Sequence, residues 1–178
     1  HCGTCTRCLD VCPTGAIRSD EPYALDANLC ISYLTIEHQG PIPRELRPKI
    51  GTWIFGCDLC LDVCPWNRFA QPVREARLLP RPALINPVLT ELLAWDQETF
   101  SATLKDSPLK RTKRRGVLRN VAIALGNAGD RGAVPALALC LRTEAEPLVR
   151  GHAAWALGRL GGAAARQALE SARSDDDV

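Results

Sequence analysis

The stretch CGTCTRCLDVCP (Cys2–Pro13) places four cysteines in the order Cys2-x2-Cys5-x2-Cys8-x3-Cys12, closed by Pro13. A 4Fe–4S cluster takes four thiolates around a cube, and this run is the bacterial ferredoxin spacing for it. One tight loop supplies three corners. In proteins with two clusters, the fourth cysteine of the run serves the other cluster. The stretch therefore predicts a ferredoxin-type, α+β but mostly α module with a second cluster elsewhere in the chain.

That second site begins at Cys57. Cys57-x2-Cys60-x3-Cys64-Pro65 repeats the run without its first cysteine, since Ile54 stands where that residue belongs. Cys30 is the nearby cysteine left unassigned. The expected ligands are Cys2, Cys5, Cys8 and Cys64 for cluster one. For cluster two they are Cys12, Cys30, Cys57 and Cys60. A disulfide framework would scatter its cysteines through a small secreted fold. Zinc also takes four thiolates in CxxC pairs, but it does not call for two runs that end in xxxCP. The ninth cysteine, Cys140, lies in an apolar helical stretch and reads as a small core residue.

Outward from these motifs the composition changes twice. Residues 1–69 carry the cluster motifs. Residues 70–89 hold Pro72, Pro80, Pro82 and Pro87 and read as an extended linker, because proline disfavours helix in the residue before it. From Thr90, a candidate N-cap, residues 90–178 have helical periodicity, with Leu92, Leu93, Trp95, Phe100 and Leu104 as the apolar set. Val121–Gly126 matches Ala153–Gly158 at an offset of 32 residues, and Ala136-Leu137 matches Ala168-Leu169 at the same offset. Residues 113–172 thus predict a short HEAT-type stack of helix pairs, with alanine at close contacts. The acidic tail, Ser174 to Val178, is expected to fray.

Net charge is +2, so the overall balance excludes little, and local clusters matter more. Between Lys105 and Arg119, the basic residues Lys105, Lys110, Arg111, Lys113, Arg114, Arg115 and Arg119 oppose only Asp106. Arg111, Arg115 and Arg119 recur every four residues and would share a helix face suited to RNA phosphates. The plain alternative is a solvated helix face. His38 and His152 read as packed or partly exposed histidines, not metal ligands. No apolar run approaches the roughly 18 residues that cross a bilayer. The chain has no methionine and opens at His1, so we expect a piece of a longer protein whose N-terminal part lies elsewhere.

The segments CISYLTIE (Cys30–Glu37), IFGCDLCLDVCPWNRF (Ile54–Phe69), RNVAIALGN (Arg119–Asn127) and GHAAWALG (Gly151–Gly158) together resemble the C-terminal half of epoxyqueuosine reductases. The resemblance implies a cytoplasmic, cobalamin-dependent oxidoreductase that reduces epoxyqueuosine to queuosine at the tRNA wobble position. The corrinoid and the catalytic acid would belong mainly to an N-terminal domain. It implies two 4Fe–4S clusters that relay electrons from a low-potential donor, a flavodoxin or ferredoxin, to the cobalt. By the same resemblance Ser32 and the loop Cys57, Asp58, Leu59 and Cys60 lie against the cobalamin, and Gln39 approaches the tRNA. Two other readings remain. One is a corrinoid reductive dehalogenase, which has no need of a basic helical array. The other is a ferredoxin electron carrier fused to a protein-interaction repeat.

Overall fold

The computed structural model describes residues 2–21, 24–75, 79, 81 and 84–175. Among them the regular structure is almost entirely helical. The cysteine-rich part carries four short helices: α1 (Arg7–Val11), α2 (Ile31–Ile36), α3 (Arg47–Ile50) and α4 (Leu59–Asp62). A 3₁₀ turn at Ala27–Leu29 precedes α2, with Asp26 accepting from the Asn28 N–H at 2.9 Å. Another at Pro65–Phe69 follows the second motif. α1 packs on α4, so the two cysteine runs lie side by side.

The expected α+β character is not realised among the described residues. The β structure there is a single antiparallel bridge between Ile17 and Leu25. It is flanked by bonds from Arg18 N to Ala24 O (3.0 Å) and from Asp26 N to Ala16 O (2.8 Å). Beyond it the strand would have to run into Arg18, Asp20 and Glu21, which form an exposed ion-paired turn. Too little apolar alternation remains to extend a ladder.

The second part is an antiparallel stack: α5 (Leu89–Leu93), α6 (Gln97–Thr103), α7 (Lys113–Ala128), α8 (Val134–Thr143), α9 (Pro147–Leu160) and α10 (Ala163–Ser171). Thr90 is not the cap of its helix: α5 is preceded by Val88 and already includes Thr90. The helix after it stops at Ala94, and Asp96 restarts the chain as α6 by accepting the Thr99 N–H at 2.7 Å. Of the proline-rich stretch expected as a linker, Pro80 and Pro82 lie outside the described residues.

The 32-residue offset pairs α7 with α9 and α8 with α10. The stripe Leu118, Val121, Ala122 and Leu125 is buried, as is Val149, Ala153, Ala156 and Leu160. α7 and α9 approach so closely that a Cβ on Gly126 would stand 2.9 Å from Ala156 Cα. Cys140 is buried in this core. Of the acidic tail, Asp175 is tied to Arg150, with bonds of 2.6 and 3.0 Å, and residues 176–178 lie outside the described set.

The two parts share a core. Ile123 of α7 packs with Ile31, Leu34, Ile42, Leu46 and Ile50 of the cysteine-rich part, with Trp155 of α9 against them. The contact is also polar. Asn127 Nδ2 donates to Arg47 O and Gly51 O, both at 2.8 Å, and capping the end of α3 in this way removes orphan carbonyls. Full burial of an isoleucine or leucine is worth about 1.5–3 kcal/mol. The shared cluster therefore locks the helical stack to the cysteine loops.

Candidate metal centre

The chain path sorts the eight cysteines into two cavities. Cys2, Cys5, Cys8 and Cys64 surround one of about 230 Å³. Cys12, Cys30, Cys57 and Cys60 surround another of about 310 Å³. The exchange of Cys12 and Cys64 between runs has a local cause. Each precedes a proline, which biases it to extended backbone. Cys12 has φ −69°, ψ 111° and Cys64 has φ −71°, ψ 122°. Each therefore leaves its own helical loop and projects its sulfur toward the neighbouring cavity. Cys30, also extended (φ −68°, ψ 121°), enters the second cavity from the foot of α2.

The cavities differ in character. The second is walled by apolar groups that include Pro13, Ala16, Ile17, Ile31 and Leu59, with no charged side chain among the described residues. Arg7 and Arg68 border the first, beside the exposed rings of Trp66 and Phe69. Burial pushes the Cys57 and Cys60 thiols up, and the charges of neighbouring cysteines add to the effect. For Cys12, burial acts upward too, but hydrogen bonds from the Thr14 side chain and nearby backbone N–H groups hold the thiol below its ordinary value. The Ala16 N–H lies 3.3 Å from its Sγ. Four thiolates in one apolar cavity repel one another, so the donor set fits a cationic iron–sulfur core. Among the described residues no three His, Cys, Asp or Glu side chains converge as the ligands of a single metal ion do.

Ser32 is half-buried on α2, facing the loop that leads to Cys57. Its Oγ lies 4.0 Å from where a Cβ on Gly56 would stand, and Gly56 has φ +76°. Thr35, one turn on, accepts the Gly56 N–H at 3.0 Å on its Oγ1 and donates to Ile31 O at 2.7 Å. Asp58 is exposed at the start of α4, and Leu59 lines the second cavity. Gln39 is half-buried. Its Nε2 donates to Glu37 O at 3.1 Å, and its buried Oε1 has no partner.

The basic segment does not form one helix face. Arg111 sits in a 3₁₀ turn, Pro108–Thr112, and Lys113 with φ +61° separates it from the body of α7. Arg111 pairs with Glu37 at 2.5 Å and stays exposed, as do Lys110 and Lys113. Arg114 is taken up by Glu144 in a forked pair (3.0 and 2.5 Å) and by Trp95 O at 2.7 Å. Arg115 is half-buried, its Nε without a partner. Arg119 is fully buried and cannot reach a phosphate backbone. The period of four misled because α7 is a central helix of the stack, covered on the side where Arg119 lies.

Asn120 and Asn127 were not singled out by the sequence. Their signal is present in it, as two asparagines seven apart that bracket the apolar run Val121–Leu125 of α7. His152 is buried, as expected of a packed histidine.

Comparison with known proteins agrees with this geometry. Residues 1–67 match the 4Fe-4S double cluster binding domain, and residues 109–178 match HEAT repeats. The chain is similar to the epoxyqueuosine reductase of Pseudomonas aeruginosa, 50% identical over 161 residues, covering 90% of this chain and 44% of that protein. It is 47% identical over 159 residues to that of Escherichia coli, covering 89% and 41%. Among solved structures, the epoxyqueuosine reductase from Bacillus subtilis superposes with a TM-score of 0.90 at 36% identity, covering 99% of this chain and 47% of that one. An epoxyqueuosine reductase with a tRNA-Tyr epoxyqueuosine-modified stem loop superposes at 0.91 and 36%, covering 99% and 46%. The chain spans less than half the length of these proteins.

Proposed function

We propose, for a chain homologous to epoxyqueuosine reductases over nine-tenths of its own length, that it forms the electron-relay and tRNA-docking half of a cobalamin-dependent epoxyqueuosine reductase. The observation that carries the reading is the sorting of the eight cysteines into two cavities of four. When bound, the two 4Fe–4S clusters supply one-electron transfer, and a corrinoid held mainly by a further domain supplies cleavage of the epoxide carbon–oxygen bond.

The protein's own part is positional. Cys2, Cys5, Cys8 and Cys64 hold the first cluster beside the exposed Trp66 and Phe69, where an external flavodoxin or ferredoxin can approach. Cys12, Cys30, Cys57 and Cys60 hold the second in the apolar cavity, away from water. Ser32 with Asp58 and Leu59 offers the surface next to that cluster to the corrinoid. Gln39, Lys110, Arg111 and Lys113 face the RNA, and the superposition on a tRNA-bound relative supports a nucleic-acid partner. A cytoplasmic location accords with such a partner. No helix among the described residues is long and apolar enough to cross a membrane.

Anaerobic reconstitution tests the cluster assignment. The chain should take up about eight iron and eight sulfide. Cys30→Ala should lose about half of both, and Cys140→Ala should lose neither. Stoichiometric zinc without sulfide overturns the reading. A ferredoxin carrier fused to an interaction repeat would give the same iron count but no affinity for the tRNA stem loop.

A further inference from the structure

α7 meets the cysteine-rich part with two consecutive polar residues, both fully buried. Arg119 Nη1 donates to His38 O and Gly40 O, and its Nη2 to Leu34 O, all at 2.8 Å. Nε and Nη2 also donate to Asn120 Oδ1 at 3.0 Å. None of these acceptors is a carboxylate. Burial lowers the guanidinium's pKa to about 10, with Arg115 adding to the effect, which still leaves it charged near neutral pH. Asn120 Nδ2 donates to Thr35 O at 2.8 Å and to Ile54 O at 2.9 Å. A buried charge without a counter-ion is costly, and an apolar side chain of similar volume usually serves stability better. Packing alone therefore does not account for an arginine here.

The acceptors show where the pair acts. Leu34 lies four residues after Cys30, about 6 Å along α2 at the helical rise. Ile54 lies three residues before Cys57. Thr35 carries Asn120 on its carbonyl and the Gly56 N–H on its hydroxyl. Two of the four cysteines of the second cavity thus sit on segments that this pair clamps together, and no charged side chain among the described residues lines that cavity.

We propose that Arg119 and Asn120 are positioning residues for the second cluster, Asn120 fixing the Ile54–Cys57 loop to α2 and Arg119 supplying the positive charge that the cavity lacks. The proposal rests on the two-cluster reading above. Each electron accepted makes a thiolate-ligated cluster more negative. A fixed cation held on the backbone carbonyl of Leu34 therefore favours the reduced state, weakly screened because the intervening medium is protein. The second cluster can then sit in an apolar cavity and still be reduced by the first.

The test is a redox titration of the reconstituted chain followed by electron paramagnetic resonance. Arg119→Met should shift the reduced-to-oxidised ratio of the second cluster toward oxidised by about tenfold at fixed solution potential, about 59 mV for one electron. The first cluster should not move. Arg119→Lys, which keeps the charge, should restore most of the shift. Asn120→Asp, unable to donate to two carbonyls, should release half of the iron to a chelator several-fold faster than the other half. If Arg119→Met keeps full iron and an unshifted second cluster, the electrostatic role is wrong. If Arg119→Met does not fold, unaltered iron release in Asn120→Asp overturns the proposal, and accelerated release of half the iron upholds it. Failure of the two-cluster reading is separate, because the unsubstituted chain would then hold no iron and sulfide.

Discussion

His152 on α9 holds Ile42 in the cysteine-rich part across 110 residues of sequence: its Nε2 accepts the Ile42 N–H at 3.3 Å. Its Nδ1 lies 2.7 Å from Leu148 O and must carry the proton, because a carbonyl oxygen only accepts. The ring is therefore neutral. Burial, with Arg47 next in weight, lowers its pKa from 6.5 to about 3.

The depressed value makes stability depend on pH. The unfolded chain binds a proton below about pH 6.5 and the folded chain does not, so stability is full above that value and falls as pH drops toward about 3. Between about pH 7.5 and 5.5 the chain should lose roughly 1.4 kcal/mol from this group. Anaerobic urea unfolding at the two pH values measures it. In His152→Gln the loss over that interval should nearly vanish, while stability at about pH 7.5 falls by roughly 1 kcal/mol as the buried hydrogen bonds weaken. An unchanged pH slope in that variant would show that His152 is protonated in the fold.

The two repeat units should respond differently to the same change. Gly126 and Gly158 are equivalent by the 32-residue offset. A Cβ on Gly126 would lie 2.9 Å from Ala156 Cα and 3.0 Å from the Trp155 ring, whereas one on Gly158 meets nothing within 4 Å. Gly126→Ala should cost about 1–3 kcal/mol through overpacking of α7 on α9. Gly158→Ala should be neutral or stabilise by up to about 1 kcal/mol, since alanine is the better helix former. Denaturant midpoints of the two variants decide it, and equal effects would contradict the close crossing.

RNA binding should depend on the exposed basic residues and not on the buried ones. Lys110, Arg111 and Lys113 replaced together by alanine should weaken binding of a tRNA stem loop. Each lost phosphate contact should flatten the slope of log affinity against log salt by about 0.7–0.9. Arg111 is held by Glu37, so Glu37→Gln, which frees it, should tighten binding modestly. Fluorescence anisotropy across a salt series reads both effects. An unchanged slope in the triple variant would leave these residues as a solvated face.

Legibility in the sequence followed how local each determinant is. The cysteine runs are local, and so is the proline after each last cysteine, which turns that residue out of its own loop. Spacing, with Cys30 as the cysteine left over, was therefore enough to propose grouping Cys64 with Cys2, Cys5 and Cys8, and Cys30 with Cys12, Cys57 and Cys60. The repeat was equally legible, because Leu118, Val121, Ala122 and Leu125 follow the helical period that burial requires. The expected β content failed on a local detail, the charged turn after Ile17.

Arg119 shows what only the tertiary structure decides. In the sequence it belongs to a run of cations at a spacing of four, which is what a solvated or phosphate-binding face looks like. A charge can be buried only if its desolvation is met by acceptors, and those acceptors are the carbonyls of Leu34, His38 and Gly40, some eighty residues away. No pattern near Arg119 encodes them. The sequence by itself determined which residues could hold iron and sulfide and which helices repeat. The packing of α7 against the cysteine-rich part determined which cations face solvent and which one is held by backbone carbonyls, because only the folded chain brings those carbonyls within hydrogen-bonding reach.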